Sequence, residues 1–207
     1  MKMFCETKEY GAVYDDVVKL TGLQAGDVFI DVGANLGQEI EYFSNLGVTI
    51  DSYEPHPYFF KKLVEKYSNL PNVTLNQTAV SDINKKANFY FKKPSHMWTE
   101  NHSSGGASLV WQKIAGSNPR LECLEVTCED IVDIVSRHDK IKILKIDIEG
   151  AEYSVLRRLI EANLIEKPEF LFFEDHSRKI ANVPEFDNDK QFFCDFVEKS
   201  GFKARCW

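Results

Sequence analysis

Asp31-Val-Gly-Ala-Asn-Leu-Gly37 is the stretch that decides how this chain folds. It follows the short apolar run 28–30 and precedes a run whose apolar side chains recur at near-helical spacing. This pattern predicts a strand, a tight turn and a helix. Gly33 permits a turn that a β-carbon would obstruct, and Gly37 permits close approach of the backbone to a ligand. The N–H groups and the positive dipole end of the following helix suit a carboxylate or phosphate in the same space.

The rest of the chain alternates between strand and helix patterns. Strands are predicted at 27–31, 49–54, 73–80, 124–127, 141–147 and 168–174, with a short extra strand at 87–91 and another that starts at Phe202. Strands that alternate with helices form a mostly parallel, doubly wound sheet with helices on both faces, so the expected class is α/β. With 207 residues, the chain is expected to form a single domain over 1–207.

Composition excludes several classes of protein. Hydrophobic residues make up 43% of the chain and charged residues 28%, which is typical of a soluble globular protein. The net charge of −7 and the lack of a long basic block argue against nucleic-acid binding. No apolar run approaches the length of about 18 residues that predicts a membrane span. The N-terminus lacks the apolar region of a signal peptide, and the five scattered cysteines suit free thiols, so we expect a cytoplasmic protein.

Acidic residues fall at the carboxyl ends of the predicted strands, where parallel sheets bind ligands. These residues are Asp31, Glu54, Asp82, Asp147 and Glu174. Glu54 follows Asp31 by 23 residues, close to the spacing of about 20 at which an acid accepts hydrogen bonds from a ribose. The turn lacks the glycines that let a pyrophosphate approach the backbone, which speaks against an NAD-linked or nucleotide-sugar enzyme. A ligand with a ribose, an adenine and a small charged tail, such as S-adenosylmethionine, fits better.

Residues 92–120 differ from the rest, because they are rich in Ser, Asn, Gly, Pro and His. A loop this long in a compact domain is usually a functional lid or a disordered segment. The two embedded tryptophans favour a lid over the acceptor site, since flat aromatic faces bind the C–H faces of sugars. The candidate acceptor-binding residues are Trp98, His102, Ser108 and Trp111.

Five blocks of the sequence closely resemble the motifs of FkbM-type methyltransferases, which are class I S-adenosylmethionine-dependent enzymes. The blocks span 31–38, 53–57, 79–82, 144–152 and 173–176, and they occur in the family's order. Lys-Ile-Asp-Ile-Glu-Gly-Ala-Glu, residues 145–152, is the most specific of them. The resemblance implies a Rossmann-like fold with a seven-stranded sheet, and O-methylation, often of sugar hydroxyls. Family members generally continue into a final β-hairpin, so we expect this chain to be trimmed or to be the catalytic part of a larger protein.

The same resemblance assigns cofactor contacts residue by residue. It implies that Gly33, Ala34, Asn35 and Gly37 wrap the methionine part of the cofactor, with Asp31 near the amino group. It further implies that Glu54 binds the ribose hydroxyls and that Pro55 or His56 flanks the ring. Val80, Ser81 and Asp82 are expected beside the adenine.

Methyl transfer to an alcohol requires alignment of donor and acceptor and removal of a proton from a weak acid. Asp147 is the first candidate for the base, and His176 is the second because its ordinary pKa suits the task. Glu149 and Glu174 are expected to assist or orient it. The same four side chains could hold a hard cation, or Glu149 and His176 could serve only as a helix cap and a loop anchor. We therefore predict no metal ligands, although a divalent metal remains an alternative.

These observations predict an S-adenosylmethionine-dependent O-methyltransferase that acts on a sugar hydroxyl in a glycan or glycoconjugate. The expected partners are the cofactor and a carbohydrate acceptor, without nucleic acid. Two alternatives stay open: O-methylation of a small natural product, and a catalytically inactive Rossmann-fold binding module.

Overall fold

The computed structural model describes residues 10–92, 107–110, 121–180 and 183–207. The helices are α1 (Tyr10–Thr21), α2 (Gln38–Ser44), α3 (Pro57–Tyr67), α4 (Ile131–Ser136), α5 (Glu152–Glu161) and α6 (Pro184–Ser200), with a 3₁₀ turn at Ser177–Lys179. The strands are β1 (Val28–Val32), β2 (Thr49–Tyr53), β3 (Val73–Asn76), β4 (Ala79–Ser81), β5 (Lys85–Lys92), β6 (Leu121–Asp130), β7 (Ile141–Ile146), β8 (Pro168–Phe173) and β9 (Arg205–Cys206).

Six strands form the main sheet in the order β3-β2-β1-β7-β8-β9, and every neighbouring pair is parallel. The chain steps outward from β1 to β3 and then returns to the other side of β1 with β7. The carboxyl ends of β1 and β7 therefore meet at a topological switch point, which is where such sheets bind ligands. The predicted α/β class with a mostly parallel sheet is confirmed. The main sheet has six strands among the described residues, where the family resemblance implied seven.

Helices cover both faces of this sheet, because its strands bury side chains on both sides. Phe29 of β1 and Ile143 of β7 pack with α1, α2 and α3 in one apolar cluster. Ile30 and Ile146 of the same strands pack with α4, α5 and α6 in a second cluster. This alternation is the two-residue period of a strand that is buried on both faces. The two clusters fix the strands, and with them the loops at the carboxyl edge.

A second sheet of three strands, in the order β4-β6-β5, lies beside the first. The single strand predicted over 73–80 is in fact two strands, since β3 pairs with β2 in the main sheet and β4 pairs with β6 in the second. The strands predicted at 87–91 and 124–127 are the centres of the longer β5 and β6. Residues 107–110 return to this sheet, where Ser108 and Tyr90 exchange two backbone hydrogen bonds of 2.8 Å. Within the described part of the chain, no helix has the length and apolar character needed to cross a membrane.

Candidate active site

A cleft of about 600 Å³ opens at the switch point between β1 and β7. One wall is polar and comes from the loops after β1, β2 and β7, including Asn35, Glu54, Asp147 and Glu149. The opposite wall is largely apolar and comes from the second sheet and the segment that returns to it. Its members are Thr78, Ala79, Val80, Phe89, Ala107 and Leu109. The cleft therefore offers hydrogen-bonding groups on one side and a surface for a flat apolar group on the other.

Gly33 makes the turn after β1 and cannot be replaced without strain. Its φ is +93°, a left-handed value that favours glycine, and a β-carbon would lie 1.8 Å from the carbonyl oxygen of Asp147. The N–H groups of Gly33 and Ala34 both donate to the Tyr53 carbonyl oxygen at 3.0 Å. The turn thus lies tightly against the ends of β2 and β7, as the sequence predicted for a glycine at this position.

Glu54 and Asn35 are held together at the polar wall. The Glu54 carboxylate accepts hydrogen bonds of 2.8 Å from two backbone N–H groups, those of Asn35 and His56. Burial raises the pKa of Glu54 to about 7, and the two N–H groups act in the opposite direction. The Asn35 side-chain oxygen is buried and accepts no hydrogen bond from the described residues. Each carboxylate oxygen retains a lone pair for a further donor, so this corner can receive a vicinal diol.

Gly37 also has a left-handed backbone, but its neighbours are protein side chains. A β-carbon there would lie 2.6 Å from the ring of Tyr67 and 2.7 Å from Leu63, both on α3. The Tyr67 hydroxyl donates to the Gly37 carbonyl oxygen at 3.0 Å. Ala34 is likewise buried in the apolar cluster with α1, α2 and α3. Neither Gly37 nor Ala34 lines the cleft, so both shape the turn from behind.

Lys145 is a residue of the candidate site that the sequence analysis does not name. Its ammonium is buried on β7 and lies 3.0 Å from both the Asp31 carboxylate and the Gly33 carbonyl oxygen. Burial lowers the pKa of Lys145, but the nearby acids Asp31, Glu39 and Asp147 outweigh it, so the net shift is upward and the amine stays charged. A lysine inside the apolar strand Ile-Lys-Ile-Leu-Lys-Ile was the available signal.

Asp31 is fully buried against this lysine and does not line the cleft. Burial raises its pKa to about 6, while the ammonium of Lys145 acts in the opposite direction. The Ser52 hydroxyl lies 3.4 Å from the other carboxylate oxygen. Asp31 therefore bears on the site through Lys145, which holds the glycine turn.

His176 is the centre of a second group of predicted residues, at the ends of β7 and β8. Its side chain is only 1% exposed. Its Nε2 lies 3.1 Å from a Glu149 oxygen, 3.3 Å from a Glu174 oxygen and 4.0 Å from an Asp147 oxygen. The structure thus brings together all four residues that the sequence proposed as base and helpers. Of these, Asp147 and Glu149 line the cleft.

Glu152 is a second residue of the candidate site to which the sequence analysis assigns no role. It is fully buried in the first turn of α5, and its carboxylate lies 2.8 Å from Nδ1 of His176. It also accepts backbone hydrogen bonds from Ile148 and Gly150. Glu152 therefore fixes both the imidazole and the loop that carries Glu149, whose φ of +60° is unusual for a non-glycine residue. Its place in the specific block 145–152 was the available signal.

Asp147 stands between the two groups of acids. Its side chain is partly exposed to the cleft and lies 4.0 Å from the Lys145 ammonium. Burial raises the pKa of Asp147 to about 6, while Lys145 lowers it and Glu174 raises it further. A carboxylate whose pKa is near 6 is a stronger base than an ordinary aspartate and still ionises at neutral pH.

The residues predicted beside the adenine and its ring divide into two groups. Pro55 and Val80 line the cleft, whereas His56, Ser81 and Asp82 do not. The Ser81 hydroxyl donates to Asp82 at 2.8 Å, and Asp82 pairs with Lys85 at 3.2 Å on the surface.

His56 is enclosed by aromatic rings instead of facing the cleft. Its ring centroid lies 4.9 Å from that of Phe59 and 4.7 Å from that of Phe91. Its Nδ1 accepts a hydrogen bond from the Tyr58 N–H and caps α3. Burial lowers the pKa of His56 to about 4, so the imidazole is neutral at physiological pH. His56 is therefore the N-cap of α3.

Ser108 is the one predicted acceptor-binding residue that the structure describes. Its fully buried hydroxyl donates to the Glu149 carbonyl oxygen at 2.6 Å and accepts from the Val110 N–H at 2.9 Å. Its neighbours Ala107 and Leu109 line the cleft. Ser108 thus ties the returning segment to the loop of Glu149. Trp98, His102 and Trp111 lie outside the described residues.

Comparison with known proteins agrees with the sequence motifs. The family described as "Methyltransferase FkbM domain" matches residues 31–203, which confirms the predicted resemblance. No curated protein matches the sequence. The fold is similar to that of a protein from Clostridium thermocellum described as an rRNA methylase, with a TM-score of 0.46, 10% identity, and coverage of 94% of this chain and 84% of that chain.

Two further solved structures are similar at the level of the fold. One is described as a methyltransferase from Streptococcus mutans in complex with SAH, with a TM-score of 0.44, 13% identity, and coverage of 94% and 84% of the two chains. The other is precorrin 8w decarboxylase from Methanobacterium thermoautotrophicum, with a TM-score of 0.42, 13% identity, and coverage of 96% and 75%.

Proposed function

The chain belongs to the FkbM methyltransferase domain family, and from this premise we propose that it is an S-adenosylmethionine-dependent O-methyltransferase. Its proposed acceptor is a sugar hydroxyl in a glycan or glycoconjugate. The observation that carries the proposal is the meeting, in one cleft, of a buried carboxylate that can bind a diol, Glu54, with a partly exposed carboxylate that can accept a proton, Asp147.

The polar wall fits the nucleoside part of the cofactor. Glu54 has lone pairs left for the two ribose hydroxyls, and the buried Asn35 oxygen is a further acceptor beside it. The apolar wall around Val80 and Phe89 suits the flat adenine. The turn at Gly33 brings backbone, and no side chain, to the space beside Asp147. These residues would hold the cofactor between the two walls.

When bound, S-adenosylmethionine supplies a methyl group on a sulfonium, so that the acceptor oxygen forms a C–O bond as the C–S bond breaks and its electron pair stays on sulfur. Asp147 takes the proton from the acceptor hydroxyl. Glu149 and Glu174 orient that hydroxyl, and His176 keeps the carboxylates in place. Alignment of this kind can contribute about 7–11 kcal/mol, and proton removal about 10²–10⁴ in rate.

The acidic site supports a neutral acceptor with many hydroxyl groups. An ionised carboxylate can accept hydrogen bonds but cannot donate them, so hydroxyl donors satisfy it well. An acceptor that carries phosphate or carboxylate would be repelled by Asp147, Glu149 and Glu174, and the chain's net charge is −7. Sugars on a glycan have the required chemistry.

Calorimetry and methyl transfer test this proposal in two steps. The purified chain is expected to bind S-adenosylmethionine, and Glu54→Gln is expected to weaken that binding about tenfold or more, because the diol loses its charged acceptor. Incubation with methyl-labelled cofactor and neutral glycans should then add methyl groups, which mass spectrometry detects. A folded chain that binds NAD but not S-adenosylmethionine would show the assignment to be wrong. Methylation restricted to non-carbohydrate hydroxyls would support the enzyme class but would show that the proposed sugar acceptor is wrong.

A further inference from the structure

We propose that Asp147, Glu149 and His176 form a binding site for a divalent cation of the Mg²⁺ or Mn²⁺ type. Each of these residues offers one ligand atom, and the three atoms lie within 4.8 Å of one another. Asp147 and Glu149 also line the cleft, so an ion held here would face the cleft. Carboxylate oxygens with one imidazole nitrogen suit Mn²⁺, and carboxylates with waters suit Mg²⁺.

The orientation of His176 is an independent observation in favour of a cation. Its Nδ1 lies 2.8 Å from the buried carboxylate of Glu152, which fixes the ring and leaves Nε2 directed at the three carboxylates. Metal-binding histidines commonly donate a hydrogen bond from their other ring N–H to a carboxylate in this way. That bond sets the tautomer and raises the basicity of the ligand nitrogen. Glu152 also accepts hydrogen bonds from two backbone N–H groups of the loop that carries Glu149. One buried acid thus holds two of the proposed ligands.

The charge balance at this end of the cleft points the same way. Four carboxylates surround one imidazole, those of Asp147, Glu149, Glu152 and Glu174. Two lysines approach them, but Lys145 is closer to Asp31, at 3.0 Å, than to Asp147, at 4.0 Å. Lys179 lies 3.9 Å from Glu149 and is largely exposed. Among the described residues, carboxylates therefore outnumber cationic groups around the buried imidazole, and a divalent ion would lower the repulsion among them.

The ion would also have a role in the reaction, and this role, unlike cation binding itself, rests on the proposed function. A cation held through one Asp147 oxygen would stabilise the negative charge that develops on the acceptor oxygen as the proton leaves for the other Asp147 oxygen. The C–O bond still forms as the C–S bond breaks, and no further reactant is needed. The rival arrangement is a doubly protonated His176 that bridges the same carboxylates without any metal.

Titration with Mn²⁺ separates these two arrangements. The full chain is treated with a chelator, dialysed, and titrated with Mn²⁺ by calorimetry, with the free ion followed by electron paramagnetic resonance. We expect one ion per chain. Glu149→Gln is expected to weaken Mn²⁺ binding at least tenfold, and Glu152→Gln about 10- to 100-fold through the loss of support for His176. Glu65→Gln, an exposed acid on α3, is the matched control and should keep the wild-type affinity.

Circular dichroism and thermal unfolding show which variants are folded before their titrations are compared. Glu149 is partly exposed and lies in the loop between β7 and α5, so its variant keeps the test decisive even if Glu152→Gln does not fold. Folded wild-type chain that binds no Mn²⁺, or folded Glu149→Gln with wild-type affinity, would overturn the cation site. S-adenosylmethionine binding is measured on the same samples. A chain that binds Mn²⁺ but not the cofactor would support the cation site and contradict the proposed function. A chain that binds the cofactor but not Mn²⁺ would support cofactor binding and contradict the cation site.

Discussion

At the carboxyl ends of β1 and β2 each buried acid has donors of its own, whereas at the ends of β7 and β8 several acids share one imidazole. Glu54 accepts hydrogen bonds from two backbone N–H groups, and Asp31 accepts one from the ammonium of Lys145. By contrast, Nε2 of His176 faces oxygens of Asp147, Glu149 and Glu174. The first region is therefore internally compensated, and the second carries an excess of negative charge.

This difference separates binding from chemistry within one cleft. A compensated carboxylate has a fixed position and can present lone pairs to a neutral diol without moving. In a crowded group of carboxylates the charges repel one another, and a cation placed among them lowers that repulsion. The comparison predicts that changes in the first region alter stability and cofactor affinity, while changes in the second alter turnover.

The largest effect is expected for Asp147→Asn. Because the variant cannot accept a proton, turnover should fall about 10²- to 10⁴-fold, while S-adenosylmethionine affinity stays close to that of the wild type. In the wild type, turnover should fall as the pH drops below about 6, since the base is then protonated. Single-turnover rates with labelled cofactor, measured from pH 5 to pH 8, check both expectations.

Asp139→Asn is the matched control for this change. Asp139 is exposed and lies two residues before β7, at the opposite end of the same strand. It should keep wild-type turnover at every pH. Near-normal turnover of Asp147→Asn would remove this carboxylate from the mechanism and make His176 the remaining candidate for the base.

Gly33→Ala should have the next largest effect, and it acts on the fold. The added β-carbon would lie 1.8 Å from the Asp147 carbonyl oxygen, on a backbone with φ of +93°. We expect the free energy of unfolding to fall by about 2–4 kcal/mol and cofactor affinity to fall with it. Gly11→Ala in α1 meets no atom within 4 Å and should change stability by no more than about 1 kcal/mol. Equal urea midpoints for the two variants would contradict the role assigned to the turn.

Much of the fold followed from the sequence because its signals are local. The largely apolar strands β1, β7 and β8, each with an acid at or just beyond its carboxyl end, predict a parallel sheet and its binding edge directly. The split of 73–80 into β3 and β4 could not be predicted, since both halves have strand propensity. Which sheet each half joins depends on pairing with distant strands, namely β2 for β3 and β6 for β4.

The candidate site was predictable where titratable residues follow the carboxyl ends of parallel strands, because those ends meet at one edge of the sheet. Asp147, Glu149, Glu174 and His176 were named on that basis, and the structure brings them together. Lys145 and Glu152 were missed because burial decides their roles. A lysine within a strand and a glutamate in a first helical turn are ordinarily solvated, and only the tertiary structure encloses them.

A smaller effect, visible through pH, is expected for Glu54. Its pKa is about 7 in the folded chain and near 4.5 when unfolded, so the folded state holds its proton longer as the pH rises. The stability that this proton affinity contributes is complete below about pH 4.5 and is lost as the pH rises through about 7. Glu54→Gln lacks this pH-dependent contribution to stability because its side chain does not titrate. Relative to the wild type, its free energy of unfolding should therefore increase between pH 4.5 and pH 7.5, by about 3 kcal/mol at most.

Urea unfolding of both proteins at the two pH values measures this difference. Glu65→Gln removes an exposed glutamate from α3 and should show no comparable change between the two pH values. If the difference between Glu54→Gln and the wild type is the same at pH 4.5 and pH 7.5, the Glu54 carboxylate is not the buried, shifted acid described above.

The smallest effects should distinguish residues of the apolar wall that line the cleft from nearby residues that do not. Leu109 lines the cleft, so Leu109→Ala should weaken S-adenosylmethionine binding about fivefold, the loss expected for roughly 1 kcal/mol of apolar contact. Asp82 lies outside the cleft and pairs with Lys85 at the surface, where such a pair contributes little, so Asp82→Asn should change affinity less than about twofold. Calorimetry resolves both values. The opposite ranking would mean that the adenine lies toward Ser81 and Asp82, as the family resemblance implied, and that the second sheet is not its contact surface.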